Sequence, residues 1–193
     1  MPQFKSINPD IEVNGQTVLA VANGLGIMKL TGLKILEDNG LKDIQPDIWY
    51  PQQLWLNAFR QISENVGFRT LYLIGLSIPE NAVFPSEIDN IFKALESIDI
   101  AYHMNHRLHE KPLYNPDTGE MLEGIGHYYY KKVSSSKVIM ECNNPYPCDF
   151  DKGIIMQMAR KFSPKAGSVK AEHDEKEGCR KNGGEICRYS VTW

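Results

Sequence analysis

Four cysteines near the C-terminal end are the residues whose type and spacing best suit chemistry. Five residues separate Cys142 from Cys148, and seven separate Cys179 from Cys187. The segment between the two pairs is predicted to form one helix flanked by strands, which can fold back and bring the pairs together. Four thiolates gathered in this way suit a tetrahedral, structural zinc ion. The sequence therefore predicts a zinc site made by these four residues, while buried free thiols or disulfides remain possible from spacing alone.

A site with three cysteines is a variant of this prediction. In it, Glu175, Glu177 or His173 replaces Cys142 as the fourth ligand. Cys148 lies just before a predicted helix, where the helix dipole lowers the pKa of a thiol and favours the thiolate that zinc needs. Both versions of the site leave no open coordination position, which is typical of structural rather than catalytic zinc.

The loop between the second pair of cysteines has the composition that such a site requires. Its two adjacent glycines, Gly183 and Gly184, allow the tight reversal that points two ligands at one atom. Zinc with four thiolates carries about two negative charges. Three basic side chains are expected to offset this charge: Arg180, Lys181 and Arg188.

Two histidines in the middle of the chain are further candidates for chemistry. His103 and His106 are three residues apart and are predicted to share one face at the end of a helix, beside Tyr102. They could bind a metal ion or face an acidic group of a ligand. The simpler interpretation is that they end an amphipathic helix at the protein surface.

Composition excludes several functional classes. The 193 residues carry a net charge of -3, which offers no general attraction for nucleic acid or an anionic membrane. The N-terminus lacks the apolar stretch of a secretory signal, and no run approaches the roughly 20 apolar residues of a membrane span. We therefore expect a cytoplasmic protein with reduced thiols, which favours metal binding over disulfides.

Hydrophobic periodicity predicts the elements that position these residues. Helices are expected over residues 16–39 with a break near Gly24 and Gly26, from Pro51 to Gly67, and from Pro85 to about Tyr102. The apolar run 71–78 fits a buried helix or a strand, and we favour the helix. Ser86 is expected to cap the last of these helices. Residues 108–124 are predicted to form a loop that could act as a lid.

The C-terminal third changes to strand periodicity. A hairpin is predicted over 127–142, followed by a helix over 149–162 and by strands over 168–173 and 186–193. The chain is thus predicted to be a single α+β domain over residues 1–193. Its mainly helical part, 1–124, would pack on an antiparallel sheet of β-β-α-β-β order in 125–193.

The C-terminal segment resembles the 4-vinyl reductase domain family. The resemblance rests on Cys148 at the start of a helix and on the closing segment from Cys179 to Trp193, whose cysteine spacing matches. That family is related in fold to haem nitric-oxide-binding domains and to ligand-binding subunits of vesicle tethering complexes. In aromatic-sensing relatives, cysteines and one glutamate hold zinc, but Lys176 occupies the position of the glutamate here.

The resemblance implies a cytosolic sensor or carrier that binds a small apolar molecule between the helices and the sheet, with zinc closing the pocket. His103 or His106 would be its polar anchor. The expected apolar lining is Trp55, Phe59, Phe92, Tyr102 and Tyr128.

Two further functions stay open from sequence. One is a haem-binding gas or redox sensor that uses His103 or His106 as the axial ligand. The second is a metal-assisted enzyme or a reductase, although no site for a hydride carrier is evident.

Relatives of this kind pass a signal to attached domains, and no such domain fits within the 193 residues. We therefore expect output through an unknown signalling partner or through a homodimer.

Overall fold

The computed structural model describes residues 2–26, 29–163, 166–176 and 178–193. Within these ranges it has the predicted α+β class, with six α-helices and eight strands. The elements in chain order are β1 (Ile11–Asn14), α1 (Gly15–Gly24), α2 (Lys29–Asp38), β2 (Trp49–Pro51), α3 (Gln52–Asn65), α4 (Phe68–Glu80), α5 (Ile91–Met104), β3 (His106–Leu108), β4 (Lys111–Pro112), β5 (Tyr128–Ser134), β6 (Lys137–Cys142), α6 (Cys148–Phe162), β7 (Lys170–Asp174) and β8 (Cys187–Thr192).

Most of the helices lie where the periodicity predicts them. The break near Gly24 separates α1 from α2, α3 begins directly after Pro51, and the apolar run 71–78 lies within α4. None of the helices in the described part of the chain is long and apolar enough to cross a bilayer.

The helix α5 differs from its prediction at both ends. It begins at Ile91 because Asn90, and not Ser86, caps it: the Asn90 side chain accepts hydrogen bonds from the backbone N–H groups of Phe92 (3.0 Å) and Lys93 (3.1 Å). It ends at Met104, so His106 lies in strand β3. The prediction that His103 and His106 share a helix face is therefore wrong.

The described residues form two antiparallel sheets, whereas the sequence predicted one. The C-terminal sheet has the spatial order β5-β6-β8-β7. A second sheet of order β2-β1-β3-β4 lies within the part predicted to be mainly helical. Its strands are two to four residues long, too short to leave a period-two pattern in the sequence. Part of the predicted lid, Lys111–Pro112, is the edge strand of this sheet.

Helices α4 and α6 cross at an unusually close contact between Gly75 and Gly153. A Cβ atom on Gly75 would lie 2.2 Å from the carbonyl oxygen of Phe150, and one on Gly153 would lie 2.3 Å from that of Tyr72. Only glycine therefore fits at both positions. The crossing holds α6, which begins with Cys148, against the helical layer.

Candidate metal centre and ligand cavity

Three of the four cysteines meet in one buried cluster. Cys148 is the first residue of α6 and Cys187 the first residue of β8, while Cys179 precedes a short 3-10 turn, Arg180–Asn182. Their sulfur atoms are 3.3 Å (Cys148 to Cys187), 3.5 Å (Cys148 to Cys179) and 3.9 Å (Cys179 to Cys187) apart. Two sulfurs that share a tetrahedral zinc ion at 2.3 Å are about 3.8 Å apart. The cluster therefore fits a single zinc ion.

The fourth side chain of the cluster is His173 and not Cys142. One ligand atom from each of Cys148, Cys179, Cys187 and His173 lies within 4.8 Å of the others, and Cys142 is not in this group. Cys142 is buried directly across the β6–β8 ladder from Cys187. The structure thus favours the three-cysteine variant of the predicted site.

The surroundings of His173 support a role as a metal ligand. Its ring stacks on Tyr189 with centroids 4.6 Å apart, and its Nε2 atom is buried without a hydrogen-bond partner. A buried imidazole nitrogen without a partner is costly unless a ligand or an ion contacts it. Glu175 is not in the cluster: it is exposed, with its carboxylate 3.8 Å from His173 Nδ1. Glu177, the other glutamate that the sequence suggested, lies outside the described residues.

Arg180 supplies the positive charge that the cluster needs. Its Nε atom lies 3.2 Å from Cys187 Sγ and its backbone N–H 3.4 Å from the same atom. The pKa of the Cys187 thiol is lowered, first by the hydrogen bond from Cys148 and further by His173 and Arg180. The pKa of Cys148 is raised by the same sulfur contact and by burial.

The remaining two basic residues predicted to offset the thiolate charge lie elsewhere. Lys181 packs over the ring of Phe68 at 4.1 Å, and Arg188 pairs with Glu141 at 2.7 Å. The loop itself has the predicted tight geometry. Gly183 has φ +85°, and a Cβ atom on Gly184 would collide with the backbone of Gly178.

A buried polar network connects the cluster to the interior of the protein. The guanidinium of Arg180 pairs with Asp151 and donates to Asn144 Oδ1 at 2.9 Å. Asp151 in turn accepts a hydrogen bond of 2.5 Å from the hydroxyl of Tyr128. Burial raises the pKa of Asp151 to about 6, although Arg180 and Tyr128 oppose this rise. The sequence analysis did not single out Asp151 or Asn144, because no local pattern marks them as partners of Arg180.

Tyr128 also lines an apolar cavity between the helices and the C-terminal sheet. The cavity volume is about 130 Å³. Its lining residues are Thr17, Trp55, Ile78, Pro79, Ala82, Phe84, Ile98, Ala101, Tyr102, Asn105, His106, Tyr128, Tyr146, Phe150, Ile154 and Met158.

The structure brings four of the seven predicted pocket residues to this cavity: Trp55, Tyr102, His106 and Tyr128. Phe59 lies behind the wall, with its ring 4.5 Å from Trp55 and 4.8 Å from Phe150. Phe92 packs instead against Trp193 at 5.1 Å. His103 is buried beside His127, with ring centroids 4.9 Å apart, and does not line the cavity.

The polar side-chain groups of the cavity wall have hydrogen-bond partners within the protein, with one exception. His106 Nδ1 lies 2.7 Å from the carbonyl oxygen of Tyr102, which can only accept, so this nitrogen carries the proton. Its Nε2 atom then accepts from the hydroxyl of Tyr146 at 2.7 Å. The exception is Trp55, whose buried Nε1 donor has no acceptor in good hydrogen-bond geometry. It does lie near the Tyr146 hydroxyl: burial raises the pKa of Tyr146, and Trp55 opposes this rise.

Comparison with known proteins gives no family assignment from sequence. No family model matches the chain, and no curated protein matches it. The spacing of Cys148, Cys179 and Cys187 remains the basis of the resemblance to 4-vinyl reductase domains, which stays a prediction.

Comparison with solved structures, in contrast, shows the fold. An H-NOX protein from S. oneidensis matches with a TM-score of 0.66 and 12% identity over 93% of this chain and 95% of that chain. An oxygen-binding H-NOX domain related to soluble guanylate cyclases matches with a TM-score of 0.58 and 18% identity, over 93% and 94%. A mutant H-NOX protein from K. algicida matches with a TM-score of 0.58 and 14% identity, over 93% and 95%. The chain therefore has the H-NOX fold, and the predicted kinship in fold to haem nitric-oxide-binding domains is confirmed.

The residues that line the cavity do not fit haem. A volume of about 130 Å³ is well below the roughly 300 Å³ at which pockets for larger ligands begin. His106 is the histidine of the lining, and its free lone pair is already taken by Tyr146. No arginine or lysine is among the lining residues to pair with the two propionates.

Proposed function

We propose that this protein is a ligand-binding sensor domain of the H-NOX fold whose cavity takes one small, mostly apolar molecule. The observation that carries the proposal is the apolar cavity of about 130 Å³ walled by Trp55, Tyr102, Tyr146 and Phe150. A dry apolar cavity of about 150 Å³ is large enough to bind benzene or xenon. The expected ligand is therefore a molecule the size of one aromatic ring.

The unpaired Nε1 donor of Trp55 adds a chemical requirement. A buried N–H group without an acceptor costs about 1–3 kcal/mol, and a ligand oxygen that accepts from it removes this cost. We therefore expect an aromatic or similarly compact molecule with one hydrogen-bond acceptor, such as a phenol. The hydroxyls of Tyr102 and Tyr128 are already bonded to Ile125 O and Asp151.

The cluster of Cys148, Cys179, Cys187 and His173 is proposed to bind structural zinc. Its ligands come from α6, β7, β8 and the loop between these two strands, so one ion would fasten the helix to the sheet. With four protein ligands the ion has no open position for a substrate. We therefore assign the metal a structural role.

The experiment that tests the cavity assignment is calorimetric titration with phenol. The wild-type protein should bind one phenol per chain. Ile98→Phe, which fills a 5% exposed position of the lining, should weaken binding at least ~10-fold because the added ring occupies the space. Ile48→Phe, at a 50% exposed position outside the lining, is the matched control and should bind as the wild type does. Equal binding by all three proteins would refute the proposal.

A haem-binding gas sensor is the second candidate function, and the fold favours it. Solved neighbours include a member of the H-NOX family in which the function of haem distortion was probed, and a protein in which porphyrin distortion modulates the haem redox potential. The structural neighbours support a haem-binding sensor better than they support the other functions that the sequence leaves open. Equimolar haem added to the purified protein decides between the candidates. A Soret band that reports one bound haem per chain would favour the second function, and the spectrum of free haem would favour the first.

A further inference from the structure

A second group of side chains of the types that ligate metal ions lies near the end of α5, separate from the cysteine cluster. One ligand atom from each of Asp99, His103 and His127 lies within 4.8 Å of the others. Asp99 and His103 are one helical turn apart in α5, and His127 directly precedes β5. The contact between α5 and β5 therefore brings the three residues together.

His103 presents a free lone pair in this group. Its Nδ1 atom lies 2.8 Å from the carbonyl oxygen of Asp99, and since a carbonyl only accepts, Nδ1 carries the proton. Nε2 is then the nitrogen with a lone pair, and it is buried without a partner. Burial also lowers the pKa of His103, which keeps the ring neutral. A neutral imidazole whose other nitrogen donates to a carbonyl is the usual form of a histidine that binds a metal.

Asp99 and His127 are held in place by further hydrogen bonds. One carboxylate oxygen of Asp99 accepts from the backbone N–H of Tyr128 at 2.8 Å, and the other lies 2.9 Å from His127 Nδ1. His127 Nε2 lies 2.8 Å from the carboxylate of Glu123. Both nitrogens of His127 thus face carboxylates. Burial opposes protonation of the ring, but the hydrogen bonds to Asp99 and Glu123 raise the pKa of His127. A metal ion on the Asp99 side of the ring would take the place of the proton on Nδ1.

We propose that Asp99, His103 and His127 bind a divalent transition-metal ion, and that Glu123 orients His127 by accepting from its Nε2–H group. Two imidazoles and one carboxylate are a donor set that binds Zn²⁺, Fe²⁺, Co²⁺ and Ni²⁺. The hydrogen bonds from Tyr128 N–H to Asp99 and from His127 to Glu123 are the outer contacts that such sites use.

The site is also accessible to an ion from solution. The side chains of His127 and Asp99 are 12% and 19% exposed, and that of Glu123 is 81% exposed. Three protein ligands leave at least one position for water. The site therefore differs from the cysteine cluster, whose four ligands close its coordination sphere.

Cobalt(II) titration tests the proposal, because cobalt spectra distinguish thiolate from nitrogen and oxygen ligands. The protein is first loaded with one equivalent of zinc to occupy the cysteine cluster and is then titrated with Co²⁺. A further equivalent of cobalt should bind with weak visible bands and without a sulfur-to-cobalt charge-transfer band. No binding of a further equivalent would overturn the proposal.

Variants of the site identify its ligands. His103→Gln and His127→Gln should each weaken cobalt binding more than ~10-fold, and Glu123→Gln by about 10-fold. His109→Gln, at an exposed histidine outside the site, is the matched control and should leave the affinity unchanged. Glu123 is exposed, so its variant remains informative if loss of the buried His103 prevents folding. Unchanged cobalt affinity in Glu123→Gln would overturn the proposed arrangement. None of these results depends on what the cavity binds.

Discussion

Arg180 and Asp151 form a buried ion pair between the cysteine cluster and the wall of the cavity. Arg180 also donates to the sulfur of Cys187, and Asp151 also accepts from the hydroxyl of Tyr128, which lines the cavity. A continuous chain of hydrogen bonds therefore joins the proposed metal centre to the proposed ligand site. Both side chains are fully buried. Because a buried charge is costly without a counter-charge, each of the two stabilises the charged form of the other.

The first prediction concerns this ion pair. Arg180→Met should lower the free energy of unfolding by about 3–5 kcal/mol, because it leaves Asp151 buried without its counter-charge. Adding Asp151→Leu to this variant should recover much of the loss. Arg188→Met is the matched control: its partly exposed pair with Glu141 should contribute less than about 1 kcal/mol. Urea unfolding measures all three, and a loss below about 1 kcal/mol in Arg180→Met would contradict the prediction.

The second prediction concerns the crossing of α4 and α6. Alanine normally stabilises a helix by about 1 kcal/mol relative to glycine. At Gly153 we expect the opposite sign, a loss of about 1–3 kcal/mol, because the added methyl group would meet the backbone of Tyr72 and Gly75. Gly167→Ala, which has open space around it, is the control and should be close to neutral. A stabilising Gly153→Ala would show that the helices can separate without cost.

The third prediction concerns pH. Burial lowers the pKa of His106 from 6.5 to about 4. The unfolded chain therefore takes up a proton more readily than the folded protein, so stability falls as the pH drops from 6.5 towards 4. The contribution of His106 to this loss is roughly 3 kcal/mol. Below the pKa of His106 in the folded protein, this contribution changes no further.

Unfolding in urea at about pH 7 and about pH 4.5 measures this effect. His106→Asn should lose less stability between these two values than the wild type does, because it has no imidazole to protonate. The exposed His109 provides the control, since His109→Gln should keep the full wild-type dependence. The same pH dependence in His106→Asn and the wild type would contradict the prediction.

The fourth prediction distinguishes the two versions of the metal site. Cys142→Ser should retain about one zinc per chain, because its sulfur is not part of the cluster. Cys187→Ser and His173→Gln should each reduce the zinc content, because each removes a ligand. Elemental analysis of the purified variants provides the measurement. Loss of zinc in Cys142→Ser, with zinc retained in His173→Gln, would instead favour a site of four cysteines.

The features that sequence could predict are those encoded by local pattern. The hairpin of β5 and β6, the helix α6 and the approach of Cys148 to Cys179 and Cys187 follow from periodicity and cysteine spacing. The choice between Cys142 and His173 could not be predicted in this way, because both lie on strands that pair with β8 and on the same face of the sheet as Cys187. Which of the two reaches the other sulfur atoms depends on tertiary packing. The pairing of Arg180 with Asp151, 29 residues apart, leaves no local pattern at all.

The two histidines illustrate the same limit. Their spacing predicted one helix face, but α5 ends at Met104, between them. His106 consequently turns towards the cavity and bonds to Tyr146, while His103 stays on the helix beside Asp99 and His127. The position of the helix end thus decides that the two side chains lie in different sites. Sequence patterns do not locate helix ends to within one or two residues.

A crystal structure of the protein grown with phenol tests the central claim most directly. We predict density for one ring in the cavity bounded by Trp55, Tyr102 and Phe150, with the phenol oxygen within hydrogen-bond distance of Trp55 Nε1. Density for haem in that space, or phenol bound only outside it, would contradict the account.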